Sequence, residues 1–195
     1  MLPSIAPIRG AFEYNGITFS AFQQARIPWR HHTVKKLLAL LCLLSITLTL
    51  TAKTMYIYKG DSTNNWDVIA TYKDGCLYKG DSTNNWDSIA TYRDGMFYKE
   101  QSTSCFDIIA NYKDDHLYKE GGSSFSYILA TYVEGRICRQ DRTYHDDTAA
   151  SFQNNKVYKG ENIVDWDCLM NFSSTPPKAI LVFCVYYFHK ELFKE

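Results

Sequence analysis

The chain has 195 residues, with 21 Lys+Arg against 21 Asp+Glu, 15% aromatic residues and 15 Tyr. That length suffices for one ordinary domain with a sizeable core. The charge balance conceals an asymmetry: removing the five basic residues and one acidic residue that precede residue 53 leaves 16 basic and 20 acidic residues for 53–195, a net charge of −4. No basic tract stands out there, which excludes nucleic acid as a partner.

Taken in chain order, the first recognisable element is a leader. Lys35-Lys36 runs into an apolar stretch from Leu37 to Leu50, followed by Thr51-Ala52-Lys53. These are the n-region, h-region and small-residue exit of a secretory signal peptide. The apolar stretch is shorter than the roughly 20 residues that a membrane-spanning helix needs. The expectation is a signal peptide over residues 34–52, cleaved near Ala52, and a secreted, periplasmic or cell-surface protein with no transmembrane span after cleavage. Residues 1–33 have no periodicity or charge pattern of their own. Val34-Lys35-Lys36-Leu37 would read Met-Lys-Lys-Leu if a GTG codon at Val34 were the start, so residues 1–33 read as a gene-start artefact or a disordered extension. Cys42 lies inside the h-region, too early for a lipoprotein cleavage site. Cys76, Cys105, Cys138, Cys168 and Cys184 remain, at non-equivalent positions and with no C-x-x-C pair. That pattern supports neither a repeated disulfide framework nor a zinc site.

Residues 53–175 are repetitive. Ile57 to Gly75 recurs as Leu77 to Gly95 with three differences, and the spacing is 20, as from Trp66 to Trp86. Tyr58, Tyr78, Tyr98, Tyr118 and Tyr158 keep phase, with Cys138 as the exception. Ala70, Ala90, Ala110, Ala130 and Ala150 keep phase too and end at Met170. Six units without an insertion imply that each meets its neighbour in the same way. Within a unit, Leu77 to Lys79 and Asp87 to Tyr92 read as strands, with the turn-rich Gly80 to Asn85 between them. Asp74-Gly75 and Asp94-Gly95 are tight-turn signals that demand positive φ. Turns are therefore expected at 73–75, 93–95, 113–115 and 133–135, and no helical turn within 86–92 or 106–112. In the second strand, Ile69, Ile89, Ile109 and Leu129 are assigned to one face and the Ala and aromatic positions to the other, so both faces are covered. The small Ala suggests a crowded axis where a larger side chain would overpack. Repeat five, Arg136 to Asn155, departs from the pattern, which is read as drift in preference to a functional variant. After Pro176-Pro177, the run from Ala179 to Phe188 is expected to be a buried capping strand or helix over residues 176–195, touching several repeats. The fold class is all-β: tandem 20-residue β-hairpin repeats, radial and flower-like or solenoidal, with a buried hydrophobic C-terminal segment.

Units of the form Tyr-Lys-Gly-x-Ser-Thr followed by Asp-x-Ile-Ala-Thr and Gly resemble a group of small bacterial β-hairpin repeat proteins with a hydrophobic tail, similar to the β-flower proteins. The resemblance covers about residues 56–188 and is best in the first four units. It implies the fold and carries no activity. The 20-residue, aromatic-rich period is also similar to choline- or glucan-binding cell-wall repeats, whose Gly-Trp and Trp-Tyr-Tyr signature is missing here.

Chemistry-bearing residues are sparse. Asp61 to Asp67 offers oxygens at alternate positions but lacks the central Gly and distal Glu of a calcium loop, so an Asx-type turn is the reading. Asp67, Asp87, Asp107 and Asp167 recur in equal settings, whereas a glycosidase needs an acid and a base in different ones. Lys59, Lys79, Lys99, Lys119 and Lys159 are expected to pair with these carboxylates across the hairpins. His116, His145 and His189 have no ligand spacing. No catalytic residue, metal site or cofactor is called for. The candidate ligand-stacking residues are Trp66, Trp86, Phe106 and Trp166. Two functions stay open: a non-enzymatic secreted structural or interaction protein, and a carbohydrate or cell-wall binding module that stacks ligand on those rings. Their partners would be another envelope protein or a glycan. Buried rings favour the first function and rings lining a groove the second; a hydrolase would require an asymmetric cleft.

Overall fold

A computed structural model describes residues 53–194. The leader and the residues before it lie outside the described residues. The strands are β1 (Met55–Lys59), β2 (Val68–Lys73), β3 (Cys76–Lys79), β4 (Ser88–Arg93), β5 (Met96–Lys99), β6 (Ile108–Lys113), β7 (His116–Lys119), β8 (Ile128–Val133), β9 (Arg136–Arg139), β10 (Thr148–Gln153), β11 (Lys156–Lys159) and β12 (Cys168–Phe172). Each pairs antiparallel with its chain neighbours, and β1 pairs with β12 through Ile57↔Phe172, Tyr58↔Asn171 and Lys59↔Met170. The twelve strands therefore close into a barrel, which selects the radial arrangement over the solenoid. Closure leaves no sheet edge exposed.

Two kinds of connection alternate around the ring. At one rim, two-residue turns join β2 to β3, β4 to β5 and so on, with positive φ at both positions, as in Asp74 (52°) and Gly75 (81°). This is the primed turn whose twist matches the strands. The expected turns at 73–75, 93–95, 113–115 and 133–135 are all present. Asp114-Asp115 and Asn154-Asn155 reach the same geometry without glycine, because short polar side chains tolerate the left-handed region.

At the other rim, long loops end in a single 3-10 turn before each even-numbered strand. These turns include Asn85–Asp87 and Cys105–Asp107, so the expectation of no helical turn in 86–92 and 106–112 fails at 86–87 and 106–107. The strands begin one residue later than the sequence suggests, at Ser88 and Ile108. A hydrogen bond from the Asp87 N–H to the Asn84 carbonyl closes that turn, and its counterparts recur around the ring.

A second correction concerns the faces. Opposite Ile57 and Tyr58, the register jumps from Ala70 to Val68, leaving Ile69 as the extra residue of a β-bulge. The same bulge recurs at Ile89, Ile109, Leu129, Ala149 and Leu169. Because a bulge interrupts the period of two, Ile69 does not lie opposite Ala70. It packs against the same core, as do Ile89, Ile109, Leu129 and Leu169.

The core is the barrel interior. Ile57, Leu77, Phe97, Leu117, Ile137 and Val157 from the odd strands join Ala70, Ala90, Ala110, Ala130, Ala150 and Met170 from the even ones, all essentially inaccessible. The tail completes the core. Lys178–Phe188 forms α1, and its residues Ala179 to Val185 are buried consecutively. Seven consecutive buried positions cover every side of a helix with 3.6 residues per turn. Such a helix is enclosed all round, here by the barrel whose cluster it shares. It contacts several repeats, as expected. Phe183 stacks on Phe97 with ring centroids 4.0 Å apart, Lys178 bonds Asp115, and the Leu192 carbonyl accepts from Arg139 Nε at 2.7 Å. The small Ala ring is therefore crowded by a helix on the axis.

Lys178 fastens the start of α1 at the tight-turn rim. Its ammonium lies 3.1 Å from Asp115 Oδ1 and over the Tyr132 ring, while the Tyr112 hydroxyl donates to the same carboxylate at 3.0 Å. Partial burial pulls the Asp115 carboxyl up, but the hydrogen bonds from Lys178 and Tyr112 outweigh it and hold the group below its ordinary value. A carboxylate held low in the folded state stabilises above its unfolded pKa, and that contribution disappears as pH falls through the folded value. Both partners are substantially exposed, so the effect is at most about 1 kcal/mol. Asp115→Asn should therefore melt slightly below the parent at neutral pH, and the gap should close as pH drops below about 4. Melting curves of both proteins across pH check this, and a gap of constant size would refute the latch.

Candidate functional site

The six long loops form petals. Each turns out of its odd strand through a residue with positive φ: Gly60, Gly80, Glu100, Glu120, Gln140 or Gly160. The N–H of that residue bonds back to the bulge residue of the adjacent even strand, as in Gly80 N–H to the Ile69 carbonyl at 3.0 Å. The petal is then stapled to the barrel wall. Thr71 Oγ1 donates to the Gly80 carbonyl, Thr91 to Glu100, Thr131 to Gln140 and Ser151 to Gly160, with Asn111 and Asn171 serving the third and closing positions. Contacts from the far rim show that petals fold back over the outer wall: Arg136 reaches the Thr143 carbonyl, and Lys156 Nζ lies 3.3 Å from Asp61.

Inside petals one to three a serine organises the turn. Ser62 Oγ accepts from the Asn64 N–H and donates to Asp67 Oδ2 at 2.5 Å; Ser82 with Asp87 and Ser102 with Asp107 repeat this. The expected pairing of Lys59, Lys79, Lys99, Lys119 and Lys159 with these carboxylates is not what forms. Lys99 and Lys119 instead approach their neighbours Glu100 and Glu120 at 3.9 and 3.7 Å, on the exposed surface. A serine five residues away closes a local ring, whereas a long lysine would forfeit rotamer freedom for a screened pair. In repeat five, Arg142 and Asp147 at 3.6 Å take the place of Ser and Asp, and the petal keeps its fold.

This scaffold leaves the candidate stacking rings in water. Trp66, Trp86, Phe106 and Trp166 are 85–93% exposed, so they are not buried packing residues. Phe125 and Tyr144, at 76% and 78%, carry the same role in petals four and five. A strict 20-residue alignment misses them, because they sit one and two residues ahead of the Trp position; scanning each loop for any aromatic would have found them. Every petal thus presents at least one large, water-exposed aromatic ring, and petal four adds Tyr127.

Petals two and three border a cleft of about 500 Å³ at the mouth where α1 emerges, lined by Trp86 and by Tyr187 of the helix. On the repeat-five side of that mouth, the terminal turn Lys190–Phe193 lies over the barrel, with Tyr186 and Phe193 edge to face and Arg139 bonded to Leu192. One helix in a six-fold ring necessarily breaks its symmetry, and here it covers one side and leaves the other open. Among the described residues, no three His, Cys, Asp or Glu side chains gather as a metal site, and no helix is long and apolar enough to cross a membrane. The strands, of four to six residues, also fall short of the roughly 9–11 needed for a membrane-spanning strand.

Comparison with known families matches residues 49–182 to the 6-fold beta flower proteins, the span of the barrel and the first turn of its central helix. No curated protein and no solved structure matches the chain.

Proposed function

The chain belongs to the 6-fold beta flower proteins, a description that names an architecture and no reaction, and from that premise we propose that it is a secreted, non-enzymatic interaction protein whose petals are its contact surface. One observation carries this reading, and it reverses the expectation that buried rings would mark an interaction protein: all six petals hold a large aromatic ring in water. Exposing such rings gains nothing for folding, since each forgoes roughly 1.5–3 kcal/mol of burial. Phe125 and Tyr144 stand at displaced positions, so the feature is more than a copied unit. Aromatic side chains offer large contact area at low entropic cost, which is why they dominate binding surfaces. The non-enzymatic part rests on the uniformity of petals one to three. Asp67, Asp87 and Asp107 are held in the same way by Ser62, Ser82 and Ser102, which leaves no environmental difference to separate an acid from a base. The leader motif over 34–52 supports export.

A second reading, a carbohydrate or cell-wall binding module, is favoured by the company the rings keep. Trp66 and Trp86 follow Asn64-Asn65 and Asn84-Asn85 and precede an Asp, so a flat stacking face stands among amide and carboxylate groups.

The test is sedimentation with the cell-envelope fraction of the producing organism. The parent protein should co-sediment. A variant carrying Trp66→Ala, Trp86→Ala and Trp166→Ala should stay in solution while keeping the parent melting temperature, since surface changes of this kind shift stability by about 0.5 kcal/mol or less. Equal sedimentation of the two proteins would dismiss the petals as the contact surface.

A further inference from the structure

Among the petals, the second is singled out. We propose that the cleft between petals two and three is a binding site for a neutral saccharide ring, with Trp86 as its stacking platform; this rests on the reading of the petals as a contact surface.

Three observations converge. First, two aromatic rings face the cleft from different elements, Trp86 from the petal and Tyr187 from the central helix. Tyr187 is held in place: Phe183 stacks beneath it at 5.7 Å, Phe183 stacks on Phe97, and Lys190 Nζ lies 5.4 Å from the Tyr187 ring. Phe97 is the lone aromatic in the ring of odd-strand core residues formed by Ile57, Leu77, Leu117, Ile137 and Val157. Phe97 thus fixes the register of α1 together with the Lys178–Asp115 latch, and that register places Tyr187 at this cleft.

Second, Ser88 lines the cleft, is more than nine-tenths buried, and its Oγ has no hydrogen-bond partner. Its counterparts are Val68, Ile108, Ile128, Thr148 and Cys168. A buried hydroxyl left without a partner costs about 1–3 kcal/mol; it stands where most of the other repeats carry an apolar side chain, and a turn of the Ser88 side chain toward the cleft would let a ligand hydroxyl satisfy it.

Third, the charged residues at the cleft balance: Lys79 and Lys99 against Asp87 and Glu100. A site with two ammonium and two carboxylate groups favours neither anions nor cations, but it offers donors and acceptors to a ligand rich in hydroxyls. The cleft volume falls within the few hundred to one thousand Å³ of small-molecule sites. Aromatic faces, balanced polar groups and an orphan hydroxyl together specify a sugar ring.

The experiment titrates the full chain with short neutral oligomers of glucose, mannose, xylose and N-acetylglucosamine, read by calorimetry and tryptophan fluorescence. At least one oligomer should bind. Trp86→Ala should weaken that binding at least about tenfold, and Ser88→Val, which restores the residue of repeat one, should weaken it as well. Arg93→Ala, at the opposite rim, should leave it within about twofold, and Trp66→Ala and Trp166→Ala should each weaken it less than Trp86→Ala does. Failure of every oligomer to bind overturns the site. Equal losses from all three Trp substitutions also overturn it, while supporting the petals as a uniform surface. Binding untouched by any of them overturns both readings. Envelope sedimentation that persists in the parent while no oligomer binds removes the saccharide and keeps the petals.

Discussion

Removing residues 178–195 should abolish the cooperatively folded barrel rather than lower its stability. The segment supplies Ile180, Leu181, Val182, Phe183, Cys184 and Val185, each at most 3% exposed. At about 1.5–3 kcal/mol per buried side chain, their loss amounts to roughly 10–20 kcal/mol, equal to or above the whole net stability of an ordinary domain. The wall cannot collapse to recover the difference. Its hydrogen-bond ladder is closed, so the interior radius is fixed by strand number, and the emptied axis would expose the Ala ring and its flanking aliphatics to water. Near-UV circular dichroism and thermal melting check this. The truncated chain should lack a fixed aromatic signal and a sharp transition, and should aggregate. A truncated protein melting within a few degrees of the parent would show that α1 is a passenger.

The parts of this fold that were legible in the sequence are those set by local chemistry. Asp74-Gly75 and Asp94-Gly95 specify primed turns because few other residues tolerate their dihedrals, and those turns are where the sequence places them. The apolar run after Pro177 announced burial, since exposing it is unfavourable in any geometry. Closure was not legible: a ring and a solenoid use the same unit, and only the pairing of β1 with β12, more than a hundred residues apart, separates them. The bulge was hidden for a related reason. Reading Ile69 and Ala70 onto opposite faces assumes an unbroken period of two, and nothing in Val68-Ile69-Ala70 marks the extra residue. In the candidate site, Trp66, Trp86, Phe106 and Trp166 were legible through repetition, but Phe125 and Tyr144 were lost to the same strict period. Tyr187 was out of reach of repeat analysis, because its meeting with petal two depends on how the helix is rotated inside the ring.

Excising one unit, residues 76–95, should be as damaging as losing the helix, although every local feature survives. The cut joins Gly75 to Met96 in phase, so each remaining turn, bulge and petal keeps its own sequence. What changes is circumference. Twelve strands at about 4.8 Å spacing give a perimeter of about 58 Å and a radius of about 9 Å before tilt; ten give about 48 Å and about 7.6 Å. A helix with its side chains has a radius of about 5–6 Å. The parent ring therefore leaves about 3–4 Å for the wall's inward side chains, enough for alternating Ala and larger aliphatics that interdigitate with the helix. The smaller ring leaves about 2 Å, and overpacking of a closed interior has no outlet. Tilt enlarges both rings without removing the difference. The five-unit chain should thus fail to close around α1, giving no cooperative melt and an exposed apolar helix that binds hydrophobic dyes. A six-fold ring is then the size set by one central helix and a wall that carries alanine on five of its six even strands. A five-unit protein that melts cooperatively near the parent temperature would show that strand number and helix are not matched, and that the alanines answer to something other than crowding at the axis.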